Sequence, residues 1–178
     1  MFILVKFPSR GRPEKLRSIL QRYIEYANDM SRMMFMITLD SDDRTATLEL
    51  VNSLIAIHPN IRVDMGISGT KVKAINRDME KAPPFDILLL ASDDMIPIVK
   101  GYDTIIRDNM YKYYPTTDGV LWFNDGFQKN GLNTLAIMGN RYYKRFGYIY
   151  NPIYQTAWCD NEFTQVANLL KKQTYFDQ

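Results

Sequence analysis

The stretch FDILLLASDDMIP, residues 85–97, runs from apolar and small side chains straight into two adjacent acids, Asp93 and Asp94. A nearly continuous apolar run reads as a strand covered on both faces, which places it inside a sheet flanked by helices. Two neighbouring carboxylates repel and each raises the other's pKa, so their pairing adds nothing to folding by itself. A positive group is therefore expected where this strand ends.

Similar strand-like runs occur at 2–7 (FILVKF), 34–40 (MFMITLD), 61–67 (IRVDMGI), 86–92 (DILLLAS), 119–125 (GVLWFND) and 134–140 (TLAIMGN). Helical spacing lies between them. In PEKLRSILQRYIEYA (13–27), Leu16, Ile19, Leu20, Tyr23, Ile24 and Ala27 share one face, and Pro13 suits a first helical position. TATLELVNSLIAI (45–57) and TKVKAINRDMEK (70–81) follow the same pattern, with Pro59 and the pair Pro83–Pro84 as punctuation. A last helix is expected from Asp160, where DNEFTQVANLLKK places Phe163, Val166, Ala167 and Leu170 together. The alternation over residues 1–100 predicts an α/β fold: one domain, its central sheet mostly parallel and covered by helices on both faces. Ligands of such sheets bind beyond the carboxyl ends of the strands. The clusters PSRGRP, DSDD, SGTK and SDD each follow one of the early strands, so parallel strands bring them to a single rim.

The bulk properties narrow the function. A chain of 178 residues with 46% apolar and 24% charged residues is an ordinary globular composition. A net charge of +2 gives no reason to expect a nucleic-acid polymer as partner. The single cysteine, Cys159, excludes an intrachain disulfide framework and suits a reducing, cytoplasmic setting. No apolar run approaches the roughly 20 residues of a membrane span. MFILVKFPSRGRP reads as a first strand rather than a signal peptide, because its charges follow the apolar residues. His58 is the only histidine, which supports neither a catalytic triad nor a zinc site.

Five groups could carry chemistry. Asp93 and Asp94 suit a hard divalent cation that takes further ligands from substrate phosphates, although adjacent acids also suit a solvated turn. Asp40 and Asp42 can accept hydrogen bonds from a base N–H or a ribose hydroxyl, while Asp43 suits capping of the helix that follows. Ser9, Arg10 and Arg12 follow the first strand, and an arginine there can pair with phosphate or stack on a base; a plain surface loop is the competing reading. Gly66, Gly69, Lys71, Lys73 and Asn76 form a glycine turn and helix that could approach an anion, without the spacing of a Walker loop. Asp160 and Glu162 open a helix, where a negative charge is favoured by the dipole and where a carboxylate could also act as a general base. Trp158, with the tyrosines before it, could offer a sugar an aromatic platform or belong to the core.

Together these motifs resemble the GT-A glycosyltransferases, in particular the inverting family 2-like enzymes that include cellulose-synthase-like and O-antigen members. FPSRGRPEKL is similar to that family's first strand and turn, and ITLDSDD to its second-strand acid, which implies a nucleobase contact for Asp40. GTKVKAINRDME resembles its nucleotide-side helix, LLLASDDMIP its Asp-X-Asp metal motif, and WCDNEF the late acidic motif that supplies the base. The resemblance implies Mn2+ or Mg2+ on Asp94 and Asp93, and nucleotide-sugar binding by Ser9, Arg10, Arg12, Asp40, Asp42, Gly69, Lys71, Asn76 and Asp93. It further implies acceptor contacts at Trp122 and Trp158, and a base at Asp160 or Glu162. The donor implied is a nucleotide-sugar, a UDP-sugar favoured. The acceptor is a hydroxyl group of the glycan or lipid-linked kind, with room for a second copy of the chain to complete that side. Residues 1–100 would form the donor half and 101–178 the acceptor half. The chain departs from the pattern in its Asp-Asn-Glu order and in lacking a late histidine ligand. A sugar nucleotidyltransferase and a non-catalytic nucleotide-sugar-binding module are the rival readings; a phosphatase built on LDSDDRT has its acids after the wrong strand.

Overall fold

The computed structural model describes residues 1–177. Its strands are β1 (Ile3–Ser9), β2 (Met33–Asp40), β3 (Ile61–Gly66), β4 (Ile87–Leu90), β5 (Val120–Phe123), β6 (Ile137–Gly139) and β7 (Gln173–Phe176). They form one seven-stranded sheet in the order β3-β2-β1-β4-β6-β5-β7. β1 pairs in parallel with both β2 and β4, and β2 with β3. β6 is antiparallel to both of its neighbours, and β7 closes the sheet in parallel with β5. The expected mostly parallel, doubly covered α/β sheet is what the chain forms.

Alternation along each strand divides the core between the two faces. Ile3, Val5 and Phe7 of β1, with Ile87 and Leu89 of β4, point to one face. There they meet α1 (Pro13–Tyr26) through Leu16, Ile19, Leu20 and Tyr23, α2 (Leu48–Ile55) through Leu50 and Leu54, and α4 (Tyr102–Tyr113) through Ile106 and Met110. Leu88 and Leu90 point the other way, against α3 (Lys71–Asn76), α5 (Asn140–Phe146) and α6 (Cys159–Leu169), where Val72, Ile75, Tyr142 and Phe163 are buried. Both faces being covered explains the unbroken apolar runs.

Several elements differ from the sequence reading. α2 is shorter than 45–57 and is capped by Thr47, whose hydroxyl accepts from the Leu50 amide. Asp43 instead ties the β2 loop together, accepting from the Gly11 and Thr45 amides. α3 ends at Asn76 because Arg77 turns extended and Asp78 takes a left-handed φ of 67°. α4 was not legible, because its buried face carries an ion pair: Asp103 and Arg107, four residues apart, meet at 2.6 Å with almost no exposure. Asp103 also accepts from the Asn28 and Asp29 amides, and Arg107 donates to the Met1 and Asp29 carbonyls, so the pair is fully satisfied. α5 and β7 were also missed; β7 is a short edge strand held by its pairing with β5. At Gly139 a Cβ would lie 2.1 Å from the Thr117 carbonyl oxygen, so no larger residue fits there.

The central strand β1 carries a fully buried cation. The ammonium of Lys6, on β1, is buried and donates to Thr38 Oγ1 and, at 2.6 Å, to the carbonyl of Arg77 just past α3. Burial pushes its pKa from 10.5 down to about 8, with Asp78 acting the other way. Between those values the unfolded chain holds the proton and the folded chain does not, so raising the pH favours folding. Relative to Lys6→Met, the wild-type chain is expected to gain about 1.5 kcal/mol of stability from pH 8 to pH 9.5 in urea unfolding, at roughly 1.4 kcal/mol per pKa unit. Parallel curves for the two proteins would contradict the buried ammonium.

Candidate active site

The carboxyl ends of β1, β2 and β4 and the turn after β3 open into a cleft of about 810 Å³, large enough for a nucleotide-sized ligand. All four polar clusters of the sequence contribute to its lining: Ser9, Arg10 and Arg12; Asp40 and Asp42; Gly69 and Lys71; Ser92 and Asp94. The start of α6 completes the lining, with Trp158 and Asp160. The parallel register of β1, β2, β3 and β4 brings segments far apart in sequence, Ser9 and Asp94 among them, to one rim.

On the β2 side, Asp40 lies between two guanidiniums. Arg77 reaches Oδ1 and Arg10 reaches Oδ2, each at 3.1 Å. Arg77 is fixed by the Ser68 hydroxyl at 2.6 Å, the Leu39 carbonyl at 2.8 Å and Asp78 at 2.9 Å. Gly66 leaves room for it, since a Cβ there would come within 3.3 Å of the guanidinium carbon. Arg10 also grips Asp42 and holds that carboxyl below its usual range. Arg77 was overlooked in the sequence because it follows the last helical residue of α3, and only the polar run Asn76-Arg77-Asp78 hinted at it.

On the β4 side the two acids part company. Asp94 is exposed, lines the cleft and is bound by Lys15 and by Arg12 at 3.2 Å, a pairing that lowers its pKa. Asp93 turns inward and is buried. One Arg12 nitrogen lies 2.8 Å from Asp93 Oδ1, but neither carboxylate oxygen receives an aligned hydrogen bond. Burial raises the Asp93 pKa, with Asp94 adding to the rise and Arg12 opposing it. The positive charge required by the double acid is thus supplied by the start of α1. Lys15, three residues beyond Arg12, falls on the same face, a spacing that could have revealed it.

Four predicted positions do not reach the cleft. Asp93 stands behind it. Asn76 is structural: its side chain accepts from the Ile149 and Tyr150 amides and donates to the Tyr150 carbonyl at 2.6 Å. Trp122 is buried on β5, whose two faces are both covered, and packs edge-on to Tyr175. Glu162 accepts from Asn151 at 3.1 Å and borders a small cavity beside Tyr142, one helical step from the cleft wall. Asp160 lines the cleft with a carboxyl oxygen 3.0 Å from the Asn161 amide. Cys159, between Trp158 and Asp160, is buried among the core residues of that face while still bordering the cleft, and burial pushes its thiol pKa up.

Among the described residues no cluster of three or more His, Cys, Asp or Glu side chains forms a cation cage. The pair at β4 nevertheless has the donor chemistry of a magnesium- or manganese-type ion that takes most ligands from phosphate and water: one exposed carboxylate, and behind it a buried one with orphaned oxygens. The residues present fit such an ion. No helix of the described residues is long and apolar enough to cross a membrane.

No family model and no curated protein matches the sequence. Solved structures do. TarS of S. aureus, residues 1–349, superposes with a TM-score of 0.78 at 16% identity, over 100% of this chain and 58% of that one. A mannosyltransferase from Pyrobaculum calidifontis, in complex with GDP-Man and Mn2+, superposes with a TM-score of 0.74 at 12% identity, over 99% and 54%. The 4-diphosphocytidyl-2C-methyl-D-erythritol synthase of Anaerococcus prevotii gives 0.62 at 10% identity, over 99% and 86%. The chain spans little more than half the length of the two glycosyltransferase structures. At these identities the likeness establishes architecture, and the architecture of this chain is the GT-A type fold.

Proposed function

We propose that this chain is a glycosyltransferase that moves a sugar from a nucleoside-diphosphate donor, a UDP-sugar favoured, to an acceptor hydroxyl with inversion at the anomeric carbon. The observation that carries the reading is a single cleft lined by both Asp94 and Asp160, together with Arg10, Arg12 and Lys71. TarS has been solved with UDP and with UDP-GlcNAc, and the mannosyltransferase with GDP-Man and Mn2+, so donors of this class occupy the same architecture elsewhere.

In this mechanism residues 1–100 form the donor half. Asp40, steadied by Arg77, accepts hydrogen bonds from the nucleoside. Arg10, Arg12 and Lys15 exchange carboxylate partners for phosphate oxygens, and Lys71 adds a further cation. Asp94 would hold a divalent ion with Asp93 behind it, and that ion's chemistry is to offset charge on the departing diphosphate. Residues 101–178 form the acceptor half. Asp160 takes the proton of the acceptor hydroxyl as its oxygen attacks the anomeric carbon from the face opposite the diphosphate; the C–O bond to the diphosphate breaks with its electron pair. Glu162 is too far around the helix to share this role.

The cytidylyltransferase likeness supports the nucleotidyltransferase rival, but the cleft has no glycine-rich phosphate loop after β1. That rival would release pyrophosphate from a nucleoside triphosphate and a sugar phosphate, and this assay should be negative.

Two outcomes test the proposal. In a calorimetric and thermal-shift screen with Mn2+, UDP, GDP, UDP-GlcNAc or GDP-mannose should bind and raise the melting temperature, and Asp94→Ala should remove the metal-dependent part of the shift. An Asp94→Ala protein with an undiminished metal response refutes the metal assignment. Asp160→Asn should retain donor binding within about threefold while transfer falls at least 100-fold, the loss expected of a missing general base. Wild-type protein that binds donors yet neither transfers nor hydrolyses them would mark the chain as a binding module.

A further inference from the structure

We propose that the ledge formed by residues 95–100 docks on a lipid surface that carries anionic headgroups. Met95-Ile96-Pro97-Ile98-Val99 is an unbroken apolar run in the loop between Asp94 and α4. Three of its side chains are open to solvent: Ile96 is 52% exposed, Ile98 79% and Val99 48%. A single exposed apolar residue is ordinary, as Phe127 is between Gly126 and Gln128, but three within four positions mark a surface that meets a partner. The exposure follows from how the loop is tied down. Arg22 of α1 donates through Nε to the Pro97 carbonyl at 2.9 Å, and its guanidinium lies 4.2 Å from the centre of the Tyr26 ring. The Gly101 amide donates to the Tyr26 carbonyl at 2.7 Å, and the Lys100 ammonium donates to the Glu25 carbonyl. Polar groups fasten the loop to α1 and the apolar side chains are left outside, the reverse of a solvated loop.

The charge beside the ledge selects the partner. Lys15, Ser18, Arg22 and Tyr26 recur at helical spacing along one flank of α1, the flank from which Lys15 reaches Asp94 and Arg22 reaches Pro97. With Arg12 and Lys100, the cations Lys15 and Arg22 border the apolar run. Asp94, the carboxylate next to that run, is already engaged by Arg12 and Lys15. Helical spacing sets Glu14 and Glu25 farther round α1, toward solvent. Apolar side chains bordered by Lys and Arg match the boundary between acyl chains and anionic headgroups, where the isoleucines enter and the cations stay with phosphate. Because the loop is fastened before it docks, little conformational freedom is lost on binding. Asp94 and Met95 line the cleft, so docking sets the cleft mouth at the level of the headgroups. This docking is independent of the donor reading and goes beyond it.

Vesicle co-sedimentation without nucleotide or metal tests the ledge. Wild-type protein should bind vesicles of phosphatidylcholine with roughly one-third phosphatidylglycerol at least about tenfold more tightly than vesicles of phosphatidylcholine alone, since each cation near an anionic surface contributes about fivefold. Raising NaCl from about 0.15 to 1 M shortens the Debye length from about 8 to 3 Å and should weaken this binding at least tenfold. Ile98→Asp should also lose at least about tenfold, because a charge replaces an inserted apolar side chain, while melting within about 2 °C of wild type as an exposed substitution does. Ile98→Trp supplies a second readout: its emission minus that of wild type should move to shorter wavelength with the phosphatidylglycerol vesicles. Wild-type protein that stays in the supernatant, an Ile98→Asp protein that binds equally well, or an unshifted Ile98→Trp difference emission would each overturn the docking. Lipid-free self-association in sedimentation equilibrium, abolished by Ile98→Asp, would overturn it too and assign the ledge to a second copy of the chain.

Discussion

A sheet covered by helices on both faces has no room for solvated charge except at its strand ends, and that constraint shapes this protein. β1, β2 and β4 are buried along their length, so the polar residues of the chain's first half collect where those strands stop. The exceptions show how demanding the rule is. Lys6 lies within the sheet only because Thr38 and the Arg77 carbonyl accept its protons, and Asp103 and Arg107 are buried only as a pair with every partner in place. The cleft is thus a consequence of burying everything else.

Once gathered at the rim, the acids need counter-charge, and the fold delivers it from neighbouring segments. Arg10 serves Asp40 and Asp42, Arg77 serves Asp40, and Arg12 and Lys15 serve Asp94. These pairs differ in permanence. Arg77 is sequestered and held by several acceptors, whereas Arg10, Arg12 and Lys15 are about half exposed. Exposed pairs contribute about 1 kcal/mol or less, so such cations can change partners when an anionic ligand arrives. The network thereby divides into a sequestered, fixed pair at Asp40 and exposed, exchangeable pairs at Asp42 and Asp94.

Much of this was legible in the sequence because it depended on local pattern. The β-α alternation predicted the parallel half of the sheet, and the polar cluster after each strand predicted the shared rim. α4, α5 and β7 were not legible. α4 hides its buried face behind the Asp103–Arg107 pair, whose remaining hydrogen-bond partners come from the distant Asn28–Asp29 loop and Met1, and β7 is a strand through its pairing with β5, a contact of long range. Trp122 and Trp158 show the same limit within one residue type: the covering of both faces of β5 buries the first, and the second stands exposed on a left-handed turn at the start of α6.

The sequence by itself determined the fold class, the strands that carry the acids and the candidate positions Asp40, Asp94 and Asp160, because hydrophobic periodicity and strand-end chemistry are local properties. Tertiary structure decided which carboxylates share a space. It turned Asp93 and Glu162 away from the cleft and Asp94 and Asp160 into it, and it brought Arg77 and Lys15 to acids far off in the chain. The direction of a side chain and the identity of its counter-ion depend on how separate elements pack, and no single stretch of sequence encodes that.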